Sequence, residues 1–327
     1  MWKGPIEDGV TQSLLNRFMK CPFSFYIYAI LGLEDPGDEQ ENLIWGDSFH
    51  KGLEILIQKK DKKEAIKIML RYLRDRYPQA PASFKFSLPK MLVLYSLKDP
   101  MDGEWETESI IDEKIAIDGQ LIRFRGKKDG VRWDHPEYGK ILAEHKCKGY
   151  IDPSLVREEI GQDLQCNLYM RLFEIEWVAY DLIRIPDTQK YGPSVSYGTS
   201  VEEFVNKLYK GPIGAYGGQY PINLHRYKWI HQHSYYIPLE EQEEYWDKTL
   251  IPNIKRLCVW YDYVTQPDFD FENPKYYNEI FYKMPVRHFD GRKTEKFKCE
   301  YHAYLTGSCE LSDLKPVNSY FSELEDE

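Results

Sequence analysis

The sequence is poor in cysteine and has no stretch that a membrane would hold. Six cysteines are scattered over 327 residues, at 21, 147, 166, 258, 299 and 309. That is too sparse for a disulfide scaffold, so a reducing compartment is expected. No apolar run approaches the roughly 20 residues that a membrane helix needs. The opening stretch, MWKGPIEDGV, lacks the apolar centre of a signal peptide. A G-x-x-x-x-G-K-[ST] phosphate loop is missing, which removes the commonest helicase and ATPase signature. Repeats and low-complexity linkers are missing too. These absences point to an intracellular globular protein with its core inside one folded region.

Basic charge is also in deficit, with 43 Lys and Arg against 53 Asp and Glu, a net −10. Binding to phosphate backbones favours basic surfaces, so this balance argues mildly against a general nucleic-acid binder. Acids clustered at a metal site, together with the terminal SELEDE, still leave room for a local basic groove. Aromatic residues are plentiful: 26 tyrosines and eight tryptophans within a 42 % hydrophobic chain can build a sizeable core. Tyrosine and tryptophan pack their rings while keeping a polar tip satisfied.

The spacing of apolar residues predicts helices first and strands later. Thr11 to Leu33 has a helical pattern broken near Cys21-Pro22, which reads as two short helices meeting at the proline. Residues 43–59 form an amphipathic helix with Phe49, Leu53, Leu56 and Ile57 on its buried side. Residues 62–76 form another, ended by Tyr77-Pro78. From Ser109 the period changes to two, and Asp118-Gly119 is a hairpin signal. The second strand resumes over Leu121–Arg125 and continues near Val131 and Trp133. A turn at 134–137 leads to a third strand at Lys140–Cys147. Residues 155–175 read as one amphipathic helix, and Glu176–Ile185 as a strand. Further on are a capping box at Ser200–Glu203, a Gly/Pro-rich loop over 211–221, an aromatic strand near Asn223–Ile237 and a long helix over Leu239–Asp262. Strands followed by a helix and another strand give an α/β fold: a mixed sheet flanked by helices. A single domain spanning 1–327 is expected. Its core lies near 105–190, between an N-terminal helical part at 1–100 and a C-terminal helical part at 200–327.

Three stretches hold the chemistry. Gly126-x-x-Asp129 ends the hairpin, Glu144-x-Lys146 lies in the next strand 15 residues on, and Gln165-x-x-x-Tyr169 lies on the helix after it. Residues two apart in a strand share a face, so Glu144 and Lys146 project together, and Asp129 from the preceding strand reaches the same spot. Two converging carboxylates make a hard-oxygen site for Mg²⁺ or Mn²⁺. A lysine beside them orients or helps deprotonate an attacking water, or stabilises charge on a phosphate. Each signal alone has an ordinary reading. Glu-x-Lys is a solvated strand face with an ion pair, Gly-x-x-Asp a turn, and Gln-x-x-x-Tyr two helix neighbours. Their order and spacing together make the case.

In that order the three stretches resemble the core motifs of the RecB-like PD-(D/E)XK nucleases, among them the AddB and RecB nuclease domains, the CRISPR-adaptation iron–sulphur nucleases and many phage exonucleases. Ser13-Leu-Leu-Asn-Arg-Phe-Met-Lys-Cys-Pro-Phe-Ser-Phe-Tyr26 resembles that family's opening segment. Gly46-Asp-Ser-Phe-His50-Lys-Gly-Leu-Glu54 resembles its helical G-x-x-x-H-x-x-L-E motif. The resemblance covers about residues 11–175. It implies a restriction-endonuclease-like fold in which His50, Asp129 and Glu144 hold the metal and Lys146 assists the nucleophile. Gln165 and Tyr169 would contact DNA or steady the site. Glu113 is either a secondary helper or an exposed strand residue. Alone, His50 would read as a packed helix histidine bonded to Glu54.

Many members of that branch hold a [4Fe–4S] cluster through one N-terminal and three C-terminal cysteines. Here Cys21 matches the first position, but Cys299 and Cys309 are joined by His302 where a third cysteine is expected. The resemblance therefore implies iron–sulphur or zinc at Cys21, Cys299, His302 and Cys309, with ordinary thiols as the alternative. Cys147, Cys166 and Cys258 read as packing residues. The expected activity is metal-dependent DNA hydrolysis, exonucleolytic by resemblance, in recombination, repair or phage DNA processing. The setting would be the cytoplasm of a bacterial or phage-infected cell, beside a separate helicase or recombination partner. Two other readings remain: a catalytically silent module that grips DNA or a partner, and RNA as the substrate. The aromatics near Tyr227, Trp229, Tyr235 and Tyr236 are either a base-stacking surface or a core-facing strand.

Overall fold

A computed structural model of the chain describes residues 2–34, 41–96, 103–149, 151–152, 154–185, 230–270 and 310–317. The chain divides into two compact units. One comprises Met1–Gly37, Ile110–Lys127 and Glu243–Glu327, and the other Asp38–Ser109 and Lys128–Gln242.

In the first unit, α1 (Gly4–Glu7) precedes α2 (Gln12–Lys20), which starts where the Thr11 hydroxyl accepts from the Leu14 amide at 3.2 Å. Cys21, the residue before a proline, is extended and ends α2. Its sulfur then accepts from the Ser24 amide at 3.4 Å and caps α3 (Pro22–Phe25), so the two helices meet at Pro22 as their spacing predicts. Phe18, Phe25 and Trp260 meet edge to face with ring centres 5.4–5.5 Å apart. Such pairs contribute about 0.5–1.5 kcal/mol each beyond the area they bury. Strand β1 (Leu33–Glu34) pairs with a short strand at Lys315–Pro316.

The second unit begins with α4 (Glu41–Lys59), α5 (Lys62–Arg76) and α6 (Phe84–Tyr95). Asp61 caps α5 by accepting from the amides of Lys63 and Glu64 at 2.8 and 3.1 Å. Phe49, Leu53 and Leu56 of α4 join Met69 and Leu73 of α5 and Leu88, Met91 and Leu92 of α6 in one buried cluster. These helices approach closely at Gly52, where an added Cβ would lie 2.6 Å from the Met69 sulfur and 3.3 Å from a Leu92 methyl. Gly52→Val is therefore expected to lower stability by about 1–3 kcal/mol, read as an earlier urea midpoint. Helix α6 is absent from the sequence-based reading. Its residues are apolar nearly all round and include Pro89, so they show no helical period.

The sheet has five strands in the order β2-β3-β4-β5-β6: β2 (Glu106–Ile117), β3 (Gln120–His135), β4 (Gly139–Lys148), β5 (Trp177–Arg184) and β6 (Ile230–Tyr236). Asp118 and Gly119 turn the first hairpin with φ of 49° and 81°, as a type I′ turn requires. Strands β3 and β4 are antiparallel, β4 and β5 parallel, and β5 and β6 antiparallel. The parallel pair is bridged by α7 (Val156–Gln162) and α8 (Leu164–Phe173), which gives the expected mixed sheet with flanking helices. The single helix predicted over 155–175 is broken at Asp163, whose ψ of 110° leaves the helical region and whose carboxylate caps α8 at the Cys166 amide, 2.9 Å away. The long helix expected over 239–262 runs as α9 (Leu239–Tyr245), a π turn at Trp246–Leu250 and α10 (Ile251–Val264). The capping box at 200–203, the loop at 211–221 and the aromatics at 227 and 229 lie outside the described residues. Among the described residues no helix is long and apolar enough to cross a membrane.

Candidate active site

The site forms where the β3–β4 ladder ends. Gly130 pairs with Ala143, and one residue on the Asp129 carboxylate takes over, accepting the His145 amide at 2.7 Å. Side chains alternate along β4, so Glu144 and Lys146 share one face while His145 and Cys147 share the other. The register continues each row across the sheet: Glu144 lies beside Tyr180 and His233, and His145 beside Asp181 and Gln232.

His50 of α4, Glu108 of β2 and Asp129 of β3 bring one ligating atom each to within 4.8 Å of one another. His50 Nδ1 is 3.4 Å from Asp129 Oδ1, whereas Glu54 pairs with Lys51 at 2.7 Å. Burial disfavours charge on both partners, but their mutual attraction wins. Asp129 is held well below the usual carboxylate range, with His145 also bonded to it, and His50 well above the usual imidazole range. Glu108 sits in the left-handed region at φ 53°. A non-glycine residue held there costs about 1–3 kcal/mol, a strain that clusters at functional sites. Nothing in the sequence sets Glu108 apart from Glu104 or Glu106.

Glu144 is 1 % exposed. Lys146 Nζ lies 2.5 Å from its Oε1, while its Oε2 has no hydrogen-bond partner among the described residues. Burial, reinforced by Asp129 and Asp163, pushes the carboxyl up to about 8 against the pull of Lys146. Burial also opposes the Lys146 charge, yet Glu144 and Asp163 hold the ammonium well above its ordinary value. Lys146 donates to Gln165 Oε1 at 3.1 Å and reaches Asp163 Oδ2 at 3.3 Å. Clustered carboxylates are hard donors and an imidazole a borderline one, and a buried carboxylate oxygen with no donor facing it lacks a positive partner. The residues present therefore fit a divalent cation. Glu144 is not among the three that converge to within 4.8 Å, though it is near enough for Asp129 to raise its pKa.

Behind Asp129 runs a buried polar chain. His145 Nδ1 is 3.4 Å from Asp129 Oδ2, and its Nε2 is 3.1 Å from the Tyr95 hydroxyl. Tyr95 donates to Asp181 at 2.6 Å, and Gln232 donates to the same carboxylate at 3.3 Å. Because the Tyr95 proton goes to Asp181, the hydroxyl oxygen is left to accept from His145 Nε2–H. This chain fixes the ring that flanks Asp129.

Of the residues expected from sequence, His50 and Asp129 meet in one group, and Glu144, Lys146 and Gln165 in another beside it. Tyr169 is 2 % exposed, packed on the inner face of α8. Glu113 is exposed on β2 and does not join the converging group. Cys147 faces α4, where it bonds to His50, and Cys166 is buried. Cys299, His302 and Cys309 lie outside the described residues, so Cys21 is described without them. Asp163, His145, Asp181 and Tyr95 were not singled out by the sequence. A faint signal existed for Asp163, an Asp that could start a helix two residues before Gln165.

The model of the PD-(D/E)XK nuclease superfamily matches residues 10–215, and the chain belongs to that superfamily. A solved structure titled "Crystal structure of SSO0001" aligns with 44 % of this chain and 70 % of its own at 17 % identity, with a TM-score of 0.22. No curated protein matches the chain.

Proposed function

We propose that this chain is a Mg²⁺- or Mn²⁺-dependent deoxyribonuclease of the RecB-like branch that degrades DNA from its ends. The observation that supports this best is the pairing of the His50–Asp129 group with a buried Glu144–Lys146 pair whose second carboxylate oxygen is unpartnered. His50, Asp129 and Glu144 are the ligands, and Glu108 adds a fourth donor. A bound cation would supply Lewis-acid charge at the scissile phosphate. Lys146, held as an ammonium by two carboxylates, orients the attacking water and stabilises charge on the phosphate rather than taking the proton. Gln165 fixes the lysine from α8, and the Tyr95–Asp181 chain fixes His145 against Asp129. Recombination, repair or phage DNA processing, beside a separate helicase, is the setting in which such an activity is used.

End-labelled linear DNA and a closed circle, each incubated with EDTA, Mg²⁺ or Mn²⁺, test this reading. Metal-dependent loss of the linear forms alone is expected. Cutting of the circle would overturn action from ends, and intact DNA under every metal would overturn the enzyme. Glu108→Gln is expected to weaken Mn²⁺ binding by about tenfold, since affinity follows ligand charge. Glu113→Gln should bind Mn²⁺ as the parent does, both being measured by calorimetry.

A further inference from the structure

Helix α5 is a concentrated source of positive charge in an acidic chain. Residues 59–76 contain eight Lys and Arg against three Asp and Glu, although the whole chain is −10. Four of these eight cations share one side of the helix. Ala65, Met69 and Leu73 form its buried side, and Lys63, Lys67, Arg71 and Arg74 lie along the opposite, exposed side. Spacings of four, four and three residues keep these four in one stripe. At 1.5 Å rise per residue they follow one another at intervals of about 6 Å or less.

Part of this charge is used within the unit, and Arg76 approaches Asp47 at 4.0 Å. Arg74 turns to Asp75 at 2.7 Å, and Lys59 to Glu64 at 2.6 Å. Lys63 and Lys67 have no ion pair among the described residues, and Arg71 only lowers the pKa of Asp75 across one turn. A row of like charges without partners destabilises an isolated helix slightly, so internal stability does not account for it.

The stripe is also tied to the helix that holds His50. Tyr72 and Tyr77 both donate to Asp47 of α4, at 2.8 and 2.7 Å, and Asp47 lies three residues before His50. The C-terminal end of the stripe is thus anchored about one turn of α4 from the metal group. We propose that Lys63, Lys67 and Arg71 form a track for the phosphate backbone of a DNA strand leading to the His50–Asp129 site. This deepens the nuclease reading above and rests on it. A polyanion with regularly repeated charges suits a linear row of cations, and counterion release then makes the contact salt-dependent.

The test is DNA affinity measured in EDTA, where no strand is cut, as a function of salt. The parent chain is compared with Lys63→Gln/Lys67→Gln/Arg71→Gln and with a control, Lys248→Gln/Lys255→Gln, which removes two ion-paired cations elsewhere. The triple variant should bind more weakly at every salt concentration. Its plot of log affinity against log salt should be shallower by about 2–3, or 0.7–0.9 per lost phosphate contact. The control should keep the parental slope and the triple variant the parental melting temperature. A triple variant whose affinity and slope match the parent overturns the track while leaving the nuclease reading intact. A parent that binds no DNA overturns both.

Discussion

Lys146→Ala is expected to lower the rate of DNA cleavage by about 10²–10³-fold, the cost of losing one preorganised donor to developing charge. The loss should fall on kcat at saturating metal and leave DNA affinity in EDTA close to that of the parent. Three partners hold this ammonium, at 2.5 Å from Glu144, 3.1 Å from Gln165 and 3.3 Å from Asp163, so little flexibility blunts its removal. Breaking a buried ion pair also leaves the remaining charge stranded, typically at about 3–5 kcal/mol. That cost shrinks at lower pH, where Glu144 takes up a proton. Rates are therefore compared at a pH where thermal melting shows both proteins folded. A variant cleaving at the parental rate would remove Lys146 from the chemistry.

Glu144→Gln is expected to do two opposite things: abolish cleavage and stabilise the metal-free protein. The Glu144 carboxyl is pushed up to about 8 from an ordinary 4.5. Below 4.5 both folded and unfolded chains hold its proton and no penalty exists. As the pH rises from 4.5 through 8, the unfolded chain ionises freely while the folded one resists, so stability falls across that window. Glutamine cannot ionise. The variant should gain about 1–3 kcal/mol over the parent near pH 8, because it avoids ionising a buried carboxyl while Asp163 and Gln165 still hold Lys146. Mn²⁺ should raise the melting temperature of the parent far more than that of the variant. Equal melting curves at pH 8 without metal would show that Glu144 carries no such strain.

How far this site is legible in the sequence depends on whether regular geometry or tertiary choice places each residue. Glu144 and Lys146 share a face because strands alternate, and Gln165 meets Lys146 because α8 follows β4 in a short βαβ crossover. Asp118-Gly119 announces its own turn through backbone preference. Glu108 is different. Its place in the converging group with His50 and Asp129 depends on a left-handed backbone at one residue, which side-chain pattern does not encode. Asp163 hides within an amphipathic stretch, and its break of the helix shows only in its ψ. Tyr95 and Asp181 come from a helix without period and a strand 86 residues further on, and only the folded sheet brings them to His145.

The proposed metal-dependent hydrolytic centre joins His50, Asp129, Glu144 and Lys146. Its most direct test is cleavage of end-labelled linear DNA by the parent and by Asp129→Ala, with Mn²⁺ and with EDTA. Degradation by the parent in Mn²⁺ only is expected, and none by Asp129→Ala, which should also lose the heat of Mn²⁺ binding. Cleavage by Asp129→Ala at the parental rate, or by the parent in EDTA, would contradict this assignment.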